Sequence, residues 1–167
     1  RGIGRQLAIH FSSLGFHVLG AYKSSVNYAE EDQEANVLAE KLGDSLTLAP
    51  CDLADRVSVD SLIARLGSGQ LAGIINNAAE YIPKDWNNLD FTDWDRSVAV
   101  NMTAPLYLVN KLQGSLAPGS AVVNIASSDA WFAGYDDIAY SATKAGLISI
   151  TKTLGAILGE SGVRVNA

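Results

Sequence analysis

Tyr140 and Lys144 stand four residues apart in Tyr140-Ser-Ala-Thr-Lys144. The stretch reads as the first turns of a helix, so the two side chains share one face. A phenol beside an ammonium is an acid–base device. The nearby positive charge favours the phenolate and lowers the tyrosine pKa toward working pH. Thirteen residues before Tyr140, Ser127 follows the apolar run Ala121-Val-Val-Asn-Ile-Ala126. It therefore sits at the carboxyl end of a predicted strand, where open parallel sheets place their ligands. Six Tyr and six Lys among 167 residues give roughly 0.2 chance Tyr-x-x-x-Lys pairs. The pair alone is thus a modest signal, and a lone one is more often a helix-surface contact.

Three further stretches accompany it. Arg1-Gly-Ile-Gly4 opens the chain, Asn76-Asn-Ala-Ala79 follows an upstream apolar run, and Asn101 lies inside a predicted helix. Each has an ordinary reading: a tight turn, a plain turn, and a single satisfied buried amide. Taken together and in order, they resemble the short-chain dehydrogenase/reductase family of the classical type, over essentially the whole chain. The resemblance implies a Rossmann-like three-layer α/β/α fold with a parallel sheet. It also implies hydride transfer between a nicotinamide cofactor and a small-molecule carbonyl or alcohol. Tyr140 would be the proton donor or acceptor. Lys144 would hold Tyr140 partly ionised and bind the nicotinamide ribose. Ser127, with Ser128 as its rival, would bond the reacting oxygen. Asn101 would hold a water in a proton relay. Around the cofactor the resemblance implies Arg1, Gly2, Ile3, Gly4, Tyr22, Lys23, Ser24, Asp52, Leu53, Asn76 and Ala78, together with Tyr140 and Lys144. Two departures stand out. Ala79 replaces the family's glycine, and the family's earlier glycine and first strand have no counterpart before Arg1. The sequence is therefore expected to begin within the motif. The missing strand would lie between Phe16–Tyr22 and Leu71–Asn76, so those two are expected not to pair with each other.

The expected cofactor is NADP(H) rather than NAD(H). Rossmann proteins that choose NAD place an acidic residue at the end of the second strand. Here that strand ends at Tyr22, and neither Asp nor Glu occurs from Leu14 to Ala29. Arg1 and Lys23 add positive charge, and the hydroxyls of Ser24 and Ser25 can donate to a phosphate. Two other readings keep the fold: a cofactor-binding regulator without turnover, and a nucleotide-binding transferase. The second leaves Tyr140, Lys144 and Ser127 unexplained.

The elements that must position these residues alternate. A helix with Ile3, Leu7, Phe11 and Leu14 on one face stops at Gly15. Phe16–Tyr22 is a buried strand. A helix capped by Asn27, with Glu30 three residues on, carries Ala35, Leu38 and Leu42. Ser45–Ala49 is a strand, and Asp52 after it is either a turn cap or an adenine contact. Val57, Leu62, Ile63 and Leu66 mark a short helix ended by Gly67. Leu71–Asn76 is the next strand. One long helix is expected over Thr92–Gly114, with Thr92 and Asp95 as a capping box and a kink where Pro105 withholds an N–H from Asn101. Pro118-Gly119 bounds the strand before Ser127. Trp131, Phe132 and Tyr135 follow it as candidate substrate wall. A helix over Ile138–Glu160 and a strand over Val163–Ala167 complete the chain. His10 and His17 show no partners and no metal-site spacing.

The bulk numbers narrow the class. A chain of 167 residues is one predicted domain with a real core. A net charge of −6 without a basic run argues against nucleic acid or an anionic membrane as partner. The single Cys51 excludes an internal disulfide and fits a reducing, cytoplasmic setting. No stretch reaches eighteen apolar residues, the length a spanning helix needs. The two long helices are apolar beyond one stripe, so each is either fully buried or an interface, and the family resemblance implies a homodimer or homotetramer built on them.

Overall fold

The computed structural model describes residues 1–24, 29–132 and 134–167, with only the backbone for 29–32. Ser25 and the expected Asn27–Glu30 cap lie outside what is described. The chain divides into two compact units, Arg1–Gly67 and Ser68–Ala167.

In the first unit α1 (Gly2–Ser13), β1 (Val18–Tyr22), α2 (Ala29–Leu42), β2 (Leu46–Pro50) and α3 (Arg56–Leu66) alternate. β1 and β2 run parallel, from Val18 opposite Leu46 to Tyr22 opposite Pro50. A parallel pair needs a crossover, and α2 supplies it. Ala8, Leu38 and Leu46 form one buried cluster, with Ile9, Val18, Leu42 and Leu48 packed against it. The face of α1 that is buried differs from the expected one. Ile3 and Leu14 stay exposed, while Ala8 is buried and Ser12 Oγ donates to the Ser45 carbonyl at 3.3 Å. Periodicity locates apolar residues. The neighbours that cover a helix are set by the rest of the fold. α1 does stop at Gly15, where φ is +86°. There the Phe16 N–H reaches the Phe11 carbonyl and the Gly15 N–H the Ser12 carbonyl, both at 3.1 Å, a Schellman closure. His17, expected to lack partners, has two. Its Nδ1 lies 2.8 Å from the Asp44 carbonyl and its Nε2 3.0 Å from Thr47 Oγ1. A carbonyl only accepts, so Nδ1 carries the proton.

The second unit runs β3 (Leu71–Asn76), α4 (Phe91–Val98), a π turn (Ala99–Thr103), α5 (Ala104–Leu112), β4 (Leu116–Asn124), α6 (Ile138–Gly159) and β5 (Arg164–Asn166). The sheet order is β3-β4-β5, all parallel. Among the described pairings β1 is joined to β2 and β3 to β4. Gly73 to Asn76 face Ala121 to Asn124, but Leu71 faces Leu116, so the ladder shifts in between. Pro118-Gly119 sits at that shift. It interrupts β4 rather than bounding it, because Pro118 has no N–H for the ladder and Gly119 takes φ +93°. The Ser120 hydroxyl then closes the irregularity on the Leu71 carbonyl at 2.7 Å. Val109, Leu116, Val122, Leu158 and Val163 make the buried core, so α5 and α6 share one cluster with the sheet.

The expected helix Thr92–Gly114 is broken. Its cap is Asp90, whose Oδ1 accepts from the Thr92 N–H at 2.8 Å. At its middle the Ala104 N–H reaches back five residues to the Ala99 carbonyl. Pro105 cannot bond the Asn101 carbonyl four residues earlier, so a wider turn is accommodated there. No helix among the described residues is long and apolar enough to cross a membrane.

Leu158 is 7% exposed and its neighbour Ile157 is 58% exposed. In the full-length protein Leu158→Ala is expected to lower the unfolding free energy by about 2–5 kcal/mol. Ile157→Ala is expected to lower it by about 0.5 kcal/mol. Urea denaturation checks the contrast, and equal losses would contradict the assigned core.

Candidate active site

The site in the second unit is built on the carboxyl ends of β3 and β4. Asn76 and Asn124 end these strands and lie opposite each other in register. Asn76 Nδ2 donates to Asn124 Oδ1 at 2.7 Å, and Asn124 Nδ2 donates to Thr151 Oγ1 at 2.8 Å. The next peptide is held as well, since the Ile125 N–H donates to the Asn76 carbonyl at 2.9 Å. The Ile125 carbonyl is thereby presented beyond the strand end.

α6 brings Tyr140 and Lys144 to that carbonyl. Lys144 is 2% exposed. Its Nζ donates to the Ile125 carbonyl at 2.6 Å and stands 5.4 Å from the centre of the Tyr140 ring. Burial pushes the Lys144 ammonium below its ordinary pKa, because the charged form loses its hydration. The Tyr140 ring also forms a T-shaped pair with Tyr81, with centroids 5.3 Å apart. Among the described residues the Ile125 carbonyl accepts one of the three N–H bonds that the ammonium carries.

Ser127 caps a short turn at Ser128–Ala130. Its Oγ accepts from the Asp129 N–H at 3.2 Å and donates to Asp129 Oδ2 at 3.0 Å. To donate to a substrate oxygen it must rotate away from that carboxylate. Ser128 contributes its carbonyl to the same turn, accepting from the N–H groups of Trp131 and Phe132. Trp131, Phe132 and Tyr135 are all exposed.

Asn101 lies in the π turn and is 1% exposed. Its Oδ1 accepts from the Glu80 N–H at 2.7 Å. Its Nδ2 donates to the Glu80 carbonyl at 2.9 Å and to Thr143 Oγ1 at 3.2 Å. Thr143 in turn donates to the Tyr140 carbonyl at 2.8 Å. The Asn101 amide therefore ties the loop after β3 to the helix of Tyr140. Arg96 Nε grips Glu80 Oε2 at 2.7 Å on the same loop. Ala78 and Ala79 lie just before Glu80 and are exposed. Asn124, Thr143, Thr151 and Glu80 escaped sequence reasoning. A polar residue ending a buried strand was the available signal for Asn124.

The remaining cofactor candidates lie in the first unit. Gly2 opens α1 at φ +57°, a left-handed conformation that favours glycine. Arg1 stands at the N-cap without a side-chain cap bond, Ile3 and Gly4 follow, and the first turn holds no acidic residue. The positive end of α1 thus keeps amide donors suited to a diphosphate. Tyr22 ends β1, and its carbonyl accepts from the Cys51 N–H at 2.8 Å. Lys23 and Ser24 follow, both half-buried. Asp52 behaves as a turn residue, with Oδ1 accepting from the Ala54 N–H at 2.9 Å and its own N–H donating to Ser58 Oγ at 3.0 Å. Leu53 beside it is half-buried.

Residues 1–167 match the family profile described as enoyl-(acyl carrier protein) reductase. A short chain dehydrogenase/reductase of Colletotrichum higginsianum, dpchG, is 37% identical over 137 residues, covering 75% of this chain and 49% of that protein. Among solved structures the promiscuous reductase LugOII, which catalyses keto-reduction at C1 during lugdunomycin biosynthesis, matches with TM-score 0.86 at 27% identity. That match covers 99% of this chain and 71% of LugOII. The angucycline C-6 ketoreductase LanV with bound NADP matches with TM-score 0.86 at 25% identity, over 98% of this chain and 65% of its own. The chain spans between 49% and 64% of the length of dpchG and seven other curated relatives. This chain belongs to the short-chain dehydrogenase/reductase family of oxidoreductases, and it has that family's Rossmann-like α/β fold of parallel strands flanked by helices.

Proposed function

We propose that the full protein moves a hydride reversibly between NADP(H) and a small carbonyl or alcohol substrate. The observation that carries this reading is the buried Lys144 ammonium, tethered to the Ile125 carbonyl and set 5.4 Å from the Tyr140 ring. A buried cation is costly unless its donors are used. Among the described residues one of its N–H bonds meets an acceptor, and the others fit a ribose beside the Tyr140 phenol, which fits a proton-transfer partner. When bound, the nicotinamide cofactor supplies the hydride. Tyr140 gives a proton to the carbonyl oxygen or takes one from the alcohol. Lys144 favours the phenolate by its charge. Ser127 turns from Asp129 to donate to the same oxygen. Asn101 has its amide committed to Glu80 and Thr143. A relay water would fall to its main-chain carbonyl, which Pro105 leaves without an N–H four residues on.

NADP(H) is favoured over NAD(H) by the chain after β1. Neither Asp nor Glu occurs in the sequence from Leu14 to Ala29 to repel a 2′-phosphate, and Lys23 and Arg1 supply charge in the same unit. LanV, a structural relative, carries bound NADP. Leu106 and Ile157, exposed on α5 and α6, suit a homodimer or homotetramer built on these helices.

Tyr140→Phe tests the chemistry. Cofactor binding is expected to survive while kcat falls about 10²–10⁴-fold. Wild-type kcat in the purified full-length variant would remove Tyr140 from the role. Lys23→Ala is expected to raise the NADPH KM about tenfold and leave NADH nearly untouched, since one charge-assisted phosphate bond is lost. Equal or better kcat/KM with NADH in the wild type would overturn the cofactor assignment.

Lys144 gives a pH dependence. Its folded pKa is lowered from 10.5, so the unfolded chain binds that proton more tightly. The burial penalty is complete below the lowered value and is relieved as pH rises from that value toward 10.5. Without cofactor, wild-type stability relative to Lys144→Met is therefore expected to rise with pH across that window. Urea midpoints read it, and a relative stability that falls would contradict the assignment.

A further inference from the structure

We propose that Asn124 is a positioning residue for Lys144, acting with Asn76 and Thr151 through the Ile125 carbonyl. The inference rests on the reading that Lys144 and Tyr140 carry the chemistry. Asn124, Thr151 and Asn76 are 1%, 5% and 8% exposed, so each unmet polar atom among them would be costly. The bonds run in one direction. Thr151 Oγ1 donates its only proton to the Leu147 carbonyl at 2.7 Å, so it must accept from Asn124 Nδ2. That fixes which end of the Asn124 amide faces α6. The other end, Oδ1, then accepts from Asn76 Nδ2. No amide in this chain can flip without breaking a bond.

The chain has two consequences for α6. Lys144 and Thr151 are seven residues apart, two turns along one face. The helix is thus pinned to the end of β4 at two points, Lys144 on the Ile125 carbonyl and Thr151 on the Asn124 side chain. The peptide between Asn124 and Ile125 is pinned as well, because its N–H is held by the Asn76 carbonyl at 2.9 Å. Apolar side chains would join the same three elements without fixing direction. Directional bonds set where the Ile125 carbonyl stands, and with it where the ammonium stands against Tyr140.

Thr151→Val keeps the shape and removes the hydroxyl, whereas Thr151→Ser keeps the hydroxyl. Asn124→Leu removes both amide bonds at similar volume. In the full-length protein Thr151→Val and Asn124→Leu are expected to raise the cofactor KM and lower kcat about tenfold or more. They should also move the midpoint of the pH–kcat profile upward by about half a unit or more, because the cation no longer sits where it favours the phenolate. Thr151→Ser should restore the wild-type profile. A profile superimposable on wild type, with kcat merely scaled by the folded fraction, would overturn the proposal. A second measurement needs no turnover. The urea-midpoint shifts of Asn124→Leu and Lys144→Met should be non-additive in the double variant, since both act on one carbonyl. Additive shifts would overturn the proposal. Non-additive shifts in a protein that reduces no carbonyl would uphold the positioning and sink the assigned reaction instead.

Discussion

The contact on which the rest of the second unit depends is the bond from the Lys144 ammonium to the Ile125 carbonyl, 2.6 Å long. Removing a cation from water costs several kcal/mol even after relaxation. One strong bond does not offset that cost, so the arrangement is tolerable only if the elements around it are fixed. β4 ends at Asn124, one residue before the carbonyl that Lys144 needs. α6 begins at Ile138, which places Lys144 two turns in, beneath Tyr140. The lowered Lys144 pKa is the physical trace of that burial.

A second constraint acts from the other side of the site. Asn101 could not clasp both backbone groups of Glu80 if the segment between α4 and α5 were regular helix packed elsewhere. The π turn puts its side chain where Glu80 and Thr143 both lie within reach. The loop carrying Tyr81 is anchored by this clasp, by the Arg96–Glu80 pair, and by the bond from the Lys84 N–H to the Asp136 carbonyl. Tyr81 then stands edge-on to Tyr140. The Tyr140 ring thus has both an aromatic neighbour at 5.3 Å and a cation at 5.4 Å.

Much of this was legible from local pattern. Leu71–Asn76 is a strand over the residues its apolar run marks, and α6 starts where the spacing places it. The shared face of Tyr140 and Lys144 follows from helix geometry alone. Asn101 and Pro105 flagged an irregular turn, but not its π form, because the extra residue is held by Glu80 from another segment. Pro118-Gly119 looked like a boundary, yet β4 starts at Leu116 because a neighbouring strand pairs on both sides of the interruption. His17 and Asn124 were missed for one reason. Their partners lie 27 or more residues away, and no local rule names them. The α1 face was misjudged because periodicity locates apolar residues without identifying what covers them.

The central claim is that the pair of buried Lys144 and half-buried Tyr140 serves proton transfer coupled to hydride transfer. The most direct measurement is NADPH consumption by the full-length wild-type protein over a panel of aldehydes and ketones, with alcohol product quantified alongside. The account predicts NADPH consumed one for one with alcohol formed for at least one member of the panel. Firm NADPH binding with no consumption across the whole panel would contradict it.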